Sequence, residues 1–214
     1  MNIIKPIVGF GYINGEDLIR NIERCARTCY KSASRMTTES AVPFIKNAIK
    51  LGHFSVIEHE KATANIICDR GVMAEFTRHR IGSFSVESTR YVNYKAGIEV
   101  IQPPIKDKIA LAKWESAMLY AENTYRDMIS LGETPEVARG VLPNSLRTEM
   151  FVTFNLREWR HFFWLRGMKG AHPQMREIAV MLLHELKSMI PAVFDDFEID
   201  YDNNIISTKT LPAS

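Results

Sequence analysis

Long apolar runs are missing from this chain. No stretch approaches the roughly 20 apolar residues that a membrane-spanning helix needs, and the start, MNIIKPIVGFGYINGED, lacks the pattern of a secretory signal. Cysteine is scarce. Cys25, Cys29 and Cys68 are an odd number without paired metal-knuckle spacing, which supports neither a disulfide framework nor a structural zinc. Cys25 and Cys29, four apart on an expected helix, read as small core residues, and none of the three sits in a polar, activating context. An excess of charge of one sign is also lacking, since 27 Lys and Arg stand against 25 Asp and Glu, a formal net charge of +2. That is too little for a general nucleic-acid or membrane-surface binder, so any basic site must be local. The expectations are a cytoplasmic enzyme with no membrane and no nucleic-acid partner. Neither a repeat nor a linker interrupts the sequence, and 214 residues, 46% hydrophobic and 24% charged, suit one globular domain over residues 1–214.

What the chain does have is a polar stretch, RHRIGSFSVESTRY, from Arg78 to Tyr91, in which only Ile81, Phe84 and Val86 are clearly apolar. Arg78, Arg80 and Arg90 carry planar, permanently charged forks suited to phosphate or carboxylate. Ser83, Ser85, Ser88 and Thr89 offer single hydrogen bonds to a polar ring. The composition fits an anion site beside a polar-ligand site, and equally a solvated arginine cluster.

Strands and helices are interleaved around this stretch. Residues 3–13 read as an edge strand and turn, and a helical pattern follows to about Tyr30. Thr37 or Thr38 is expected to cap a helix through Leu51, which Gly52 stops. The polar cluster His53-Phe54-Ser55-Val56-Ile57-Glu58-His59 comes next, where loops tend to carry function. His53 and His59 as zinc ligands lack an obvious third partner, and His59 reads equally as a structural histidine. Residues 61–69 form an expected strand buried on both faces at Ile66-Ile67, 72–77 a helix, and 97–102 a short strand. One long amphipathic helix spans 106–131, its Leu111, Trp114, Met118 and Tyr125 serving as packing surface. Thr134 caps and Pro135 opens a shorter helix containing Arg139. Residues 146–156 read as a strand leading into a helix near Asn155 to Arg157, whose run Trp159 to Arg166 suits base stacking, a flavin wall or a buried helix face. A last helix covers 172–189; the tail beyond Phe194 is acidic and weakly patterned.

The order of residues adds what composition lacks. Arg78-His79-Arg80, seven residues, then Ser88-Thr89-Arg90-Tyr91 resembles the signature of the flavin-dependent thymidylate synthases. Gly52-His53 before Ser55 and Glu58-His59 resembles a second segment of that family, Pro135 to Pro143 a third, and Asn155 through Arg166 to Gln174 and Glu177-Ile178 a fourth. That family makes dTMP from dUMP with methylenetetrahydrofolate as carbon donor, reduced FAD as hydride source and NADPH as the flavin's reductant, without a cysteine nucleophile. The resemblance implies an α+β fold, mixed helices around a central, mostly antiparallel sheet, assembling as a homotetramer with shared active sites.

Carried over residue by residue, the resemblance implies chemistry at Arg166, His53 and Ser88. It places Ser55, Glu58, Arg78, His79, Arg80 and Ile81 at the FAD, with Asn155, Arg157 and His161. For dUMP it implies Glu75, Arg78, Glu87, Ser88, Thr89, Arg90, Arg139 and Arg166. No metal is implied. The chain departs from the family's pattern at Glu75, where glutamine is common, and at Ser85-Val86, where an Asn-Glu pair is common, leaving Glu87 as a carboxylate one position later. Gly167 to Gly170 look like extra residues relative to the commoner spacing.

Overall fold

Pro6 has no N–H to give a sheet, and it splits the expected opening strand into β1 (Asn2–Ile4) and β2 (Ile7–Phe10) in the computed structural model, which describes residues 1–210. Helix α1 (Gly15–Arg27) starts where Asn14 accepts the Asp17 N–H at 3.3 Å. The next helix, α2 (Ala41–Lys50), begins later than expected. Thr37 does not cap it; its hydroxyl accepts from Glu39 N–H, and Ser40 Oγ turns back to Thr37 N–H and Glu23. Strand β3 (Lys61–Asp69) has the expected bounds, but Ala62, Ala64, Ile66 and Cys68 are buried while Ile67 is only half-buried, so it buries one face. Asp69 caps α3 (Arg70–Phe76) through Val72 N–H at 2.9 Å.

Inside the polar stretch lies a strand that the sequence did not predict, β4 (Ser83–Val86), and β5 (Glu99–Ile101) follows. Asp107 caps the long helix α4 (Lys108–Ser130). Pro135 opens α5 (Pro135–Ala138), but Thr134 contributes no side-chain bond. Strand β6 (Arg147–Asn155) runs into α6 (Leu156–Gly167), then α7 (Pro173–Met189) and the one-turn α8 (Pro191–Phe194). The tail is ordered as a second unpredicted feature, the antiparallel hairpin β7 (Phe197–Asp200) and β8 (Ile205–Thr208). The last four residues of the expected 1–214 domain lie outside the described residues. No helix among those described is long and apolar enough to cross a membrane.

Strand order in the four-stranded sheet is β2-β3-β6-β4, with β1 paired parallel to β5 apart from it. Thr63 meets Thr153 at one end of the β3–β6 pair, and Arg70 N–H donates to Leu146 O at the other, so these strands run antiparallel. Glu87 N–H bonds Glu149 O while Gly82 lies on Phe154, which makes β4 and β6 antiparallel as well.

Two compact units divide the chain. One comprises Met1–Ile7, Ile66–Arg78 and Phe84–Phe151; the other comprises Val8–Asn65, His79–Ser83 and the described residues from Val152 on. The first has a core of Ile98, Val100, Met118 and Leu146, against which Trp114 of α4 packs. The second is built on aromatics. Trp159 is fully buried, with ring centroids of Phe154, Phe10, Phe162 and Phe163 at 4.8, 5.4, 5.6 and 5.7 Å, and its indole N–H donates to Ala62 O. Burial of each such ring contributes roughly 1.5–3 kcal/mol. The α6 run Trp159, Phe162 and Phe163 is therefore core, the plainest of its three sequence readings.

Buried Arg160 sits between the rings of Phe54 and Phe197, 5.4 and 4.7 Å from their centroids, and binds Asp196 through two nitrogens at 2.6 Å each. Thr208 of β8 donates to the same carboxylate. The tail thus supplies the counter-charge for a cation in the core. Burial raises the Asp196 pKa, but hydrogen bonds and charge from Arg160 outweigh it and hold the carboxyl below its ordinary 3.8.

A group with a depressed folded pKa stabilises above its ordinary value and loses that contribution as pH falls through the folded one. Asp196→Asn is therefore expected to cost about 3 kcal/mol near neutral pH and progressively less below pH ~3.8; urea titrations across that range measure both. Gly82 gives a second test. A Cβ there meets Phe154 ring carbons at 2.3 Å, so Gly82→Ala should destabilise by about 1–3 kcal/mol, read from the urea midpoint at unchanged slope.

Candidate active site

In the second unit, the end of α2 sets the position of His53. Gly52 takes φ +76°, its N–H bonds Ile49 O at 3.0 Å, and the His53 N–H bonds Ala48 O at 2.9 Å. This paired closure needs a left-handed residue, which glycine supplies without strain. His53 emerges exposed from it and lines, with Ser55, a cavity of about 400 Å³ whose wall includes Tyr30, Asn47 and Cys29. None of those three was expected at the site from sequence. Cys29 is exposed and Cys25 only partly buried, so neither is the core residue expected; Cys68 is buried, and burial first, then the charge of Asp69, pushes its thiol well above its ordinary pKa. Glu58 pairs with Arg157 at 2.5 Å, both partly exposed, and His59 is exposed rather than structural.

The basic signature is divided by the fold. Arg78, in the first unit, and Arg80 and Ile81, in the second, are exposed, and neither arginine has a side-chain hydrogen bond among the described residues. His79 between them is 4% exposed. Its ring packs on Phe154 and Phe162, with centroids at 5.8 and 5.3 Å, so its side chain cannot meet a ligand as the exposed arginines can. Its Nδ1 lies 2.7 Å from Glu158 Oε1, and Arg166 Nε donates to its Nε2 at 3.1 Å. His161 Nδ1 is 3.3 Å from the same carboxylate oxygen, and its ring stacks on Trp164 at the partly exposed edge of α6.

Glu158 occupies the third position of α6, and its N–H is taken by Asn155 Oδ1 at 2.8 Å. Asn155, an expected flavin neighbour, therefore uses its oxygen as a helix cap. Burial raises the Glu158 pKa, but hydrogen bonds from His161 and His79 outweigh it and bring the carboxyl to about 2. His79, Glu158 and His161 each offer an atom within 4.8 Å of the others, a grouping able to surround a metal ion. It differs from the His53–His59 pair considered from sequence. The Arg166 contact argues against metal here: a metal on Nδ1 would leave the proton of neutral His79 on Nε2, donor against donor at 3.1 Å.

In the first unit, the segment after β4 is pinned residue by residue. Glu87 N–H bonds Glu149 O, and its carboxylate takes Arg147 and the Tyr94 hydroxyl, the latter at 2.6 Å. Burial, then the Glu87 bond, pushes the Tyr94 pKa upward. Ser88 Oγ accepts Arg90 N–H at 3.3 Å, a local turn contact. Buried Thr89 accepts from Arg139 at 3.4 Å, and Arg90 pairs with Glu136 at 2.9 Å. Arg139 is exposed, and Glu75 is half-buried on α3.

The structure thus gathers Ser88, Thr89, Arg90 and Arg139 in the first unit, with Glu87 held by Arg147. In the second it gathers His79, His161 and Arg166, and separately His53 with Ser55. Arg147, Tyr94 and Glu158 were missed. For Glu158 a signal existed, since Asn155 followed three residues later by glutamate is a capping pattern; nothing local marked the pairing of Arg147 with Glu87, sixty residues earlier in the chain. Of the residues expected to be extra, Gly167 ends α6 against Ile206 of β8, and Met168 to Gly170 lie in the turn before α7.

Comparison with known proteins completes this picture. The family described as "Thymidylate synthase complementing protein" matches residues 14–192. The flavin-dependent thymidylate synthase of Mycobacterium avium is 34% identical over 197 residues, covering 83% of this chain and 79% of that protein. The one from Geobacter sulfurreducens is 34% identical over 181 residues, 80% and 78% of the two chains. Among solved structures, the UMP/dUMP methylase PolB of Streptomyces cacaoi bound with 5-Br dUMP superposes with a TM-score of 0.78 at 21% identity over 91% of this chain and 96% of that one, a likeness of fold. With most of its length matched and its motif residues in place, the chain belongs to the flavin-dependent thymidylate synthase family.

Proposed function

We propose that the chain converts dUMP to dTMP, taking the one-carbon unit from methylenetetrahydrofolate, with FAD as hydride carrier and NADPH as its reductant. The observation that carries this reading is the divided signature: Arg78 and Arg80 stand exposed without side-chain partners, cations available to a phosphate. The bound flavin supplies the hydride that turns the transferred carbon into a methyl group. His53 and Ser55, on the cavity beyond α2, border the flavin or the folate; Glu58, Asn155, Arg157 and His161 line the flavin's side, with Ile81 as an exposed apolar contact.

Arg90, Arg139 and Arg166 hold the nucleotide's phosphate and pyrimidine oxygens and stabilise negative charge developing on the ring. Arg90 exchanges its exposed partner Glu136 for phosphate at little cost, because surface pairs are worth about 0–1 kcal/mol. Ser88 binds and polarises; its Oγ lies on a backbone N–H and its contacts include no general base. Thr89 steadies Arg139, and Glu75 takes the place of the common glutamine. Glu87 acts through Arg147 and Tyr94, holding the segment that carries these groups.

The whole chain acts as one synthase domain in a homotetramer with shared sites. What supports assembly is the exposed apolar surface of α4, where Ile109 and Tyr120 are 72% and 75% exposed. Its other partners are small molecules, without nucleic acid or membrane.

Protein mixed with FAD, NADPH, dUMP and methylenetetrahydrofolate is expected to produce dTMP, detected by chromatography; folded, flavin-loaded protein that makes none refutes the reading. Ser88→Ala is expected to lower turnover about tenfold, the worth of roughly one hydrogen bond, and Cys29→Ser to retain it. Complete loss in either variant with dUMP binding intact would assign a nucleophile and overturn the binding role.

A further inference from the structure

The buried side chains around His79 have a one-way order of protons. A guanidinium only donates, so the 3.1 Å contact from Arg166 Nε makes Nε2 of His79 the acceptor. The neutral ring then carries its proton on Nδ1, which points at Glu158 Oε1 at 2.7 Å. Phe154 and Phe162 pack against the ring, and its near-complete burial resists rotation.

We infer that Glu158 is a positioning residue: by taking the Nδ1 proton of His79 it keeps Nε2 free to accept, and so fixes the plane of the Arg166 guanidinium. A bond through Nε orients that plane, and with it the Nη1/Nη2 edge whose geometry suits an oxyanion held by two parallel bonds. Without the carboxylate, the imidazole is released to carry its proton on Nε2, and Arg166 then faces a donor where it needs an acceptor. The same Oε1 lies 3.3 Å from His161 Nδ1, so one oxygen orients the histidine on the exposed edge of α6 together with the arginine. The helix start does not depend on this carboxylate, since Asn155 caps α6 through the Glu158 backbone N–H. The inference rests on the proposed role of Arg166 at the nucleotide, but the proton order holds without it.

Flavin-loaded protein labelled with ¹⁵N-histidine, read by long-range ¹H–¹⁵N correlation, measures that order directly, with His79→Gln identifying the resonance. The expected result is a neutral ring protonated on Nδ1; an Nε2–H ring or an imidazolium in the unsubstituted protein overturns the inference. In kinetics, Glu158→Leu, with turnover counted per bound flavin, is expected to lower kcat about 10- to 100-fold, the scale of a misplaced catalytic group. Glu158→Gln, whose amide oxygen still accepts, should restore most of it; full turnover in Glu158→Leu refutes the relay. If the unsubstituted protein makes no dTMP, the proposed function fails instead, while the tautomer still decides the proton order.

Discussion

An imidazole buried between a guanidinium and a carboxylate has no freedom in where it keeps its proton. His79 is in that position, and much of the second unit is arranged to hold it there. Phe154 at the end of β6 and Phe162 on α6 pack against the ring; Asn155 starts α6 at the residue that places Glu158; Arg166 arrives nearly three turns later on the same helix. The aromatic cluster around Trp159 is the structural basis of this arrangement. A buried carboxylate and a buried histidine are tolerable where their polar atoms find hydrogen-bond partners.

Gly82 shows how closely signature and core are joined. The chain turns from the exposed Arg80 and Ile81 into β4 across the face of Phe154, and a side chain at residue 82 would lift it away. The two arginines that flank His79 are thereby held outward by the burial of the residue between them. A local excess of positive charge on a nearly neutral protein follows from this alternation and needs no basic surface elsewhere.

The first unit meets the same difficulty by a different route. Its segment after β4 carries no buried histidine; it is tied by Glu87 to Arg147 and Tyr94, by Thr89 to Arg139 and by Arg90 to Glu136. Here the chain departs from its family's pattern, and the departure has a structural content. Glu87 is occupied with β6 and with the tyrosine, so it holds the loop.

By itself the sequence marked the residues proposed to carry the chemistry, and most element boundaries, because those depend on short-range rules. A cap three residues before its N–H, a glycine closing α2 and helical periodicity along α4 are all legible within a few positions. The positions of Arg78, Ser88, Arg139 and Arg166 were legible as spacing. Beyond reach were the late start of α2, where Ser40 and Thr37 satisfy each other, and the strand β4, too short and polar to show alternation. The acidic tail was equally opaque, since its function is to neutralise Arg160, thirty-six residues earlier in the chain. Tertiary structure alone decided that His79 faces inward between two outward arginines, that the aromatics of α6 form the core, and that Glu158 meets His79 across seventy-nine residues. The physical reason is the same in each case: the proton order of an imidazole and the pairing of a buried charge are set by whichever groups packing brings within about 3 Å, and sequence separation carries no information about that distance.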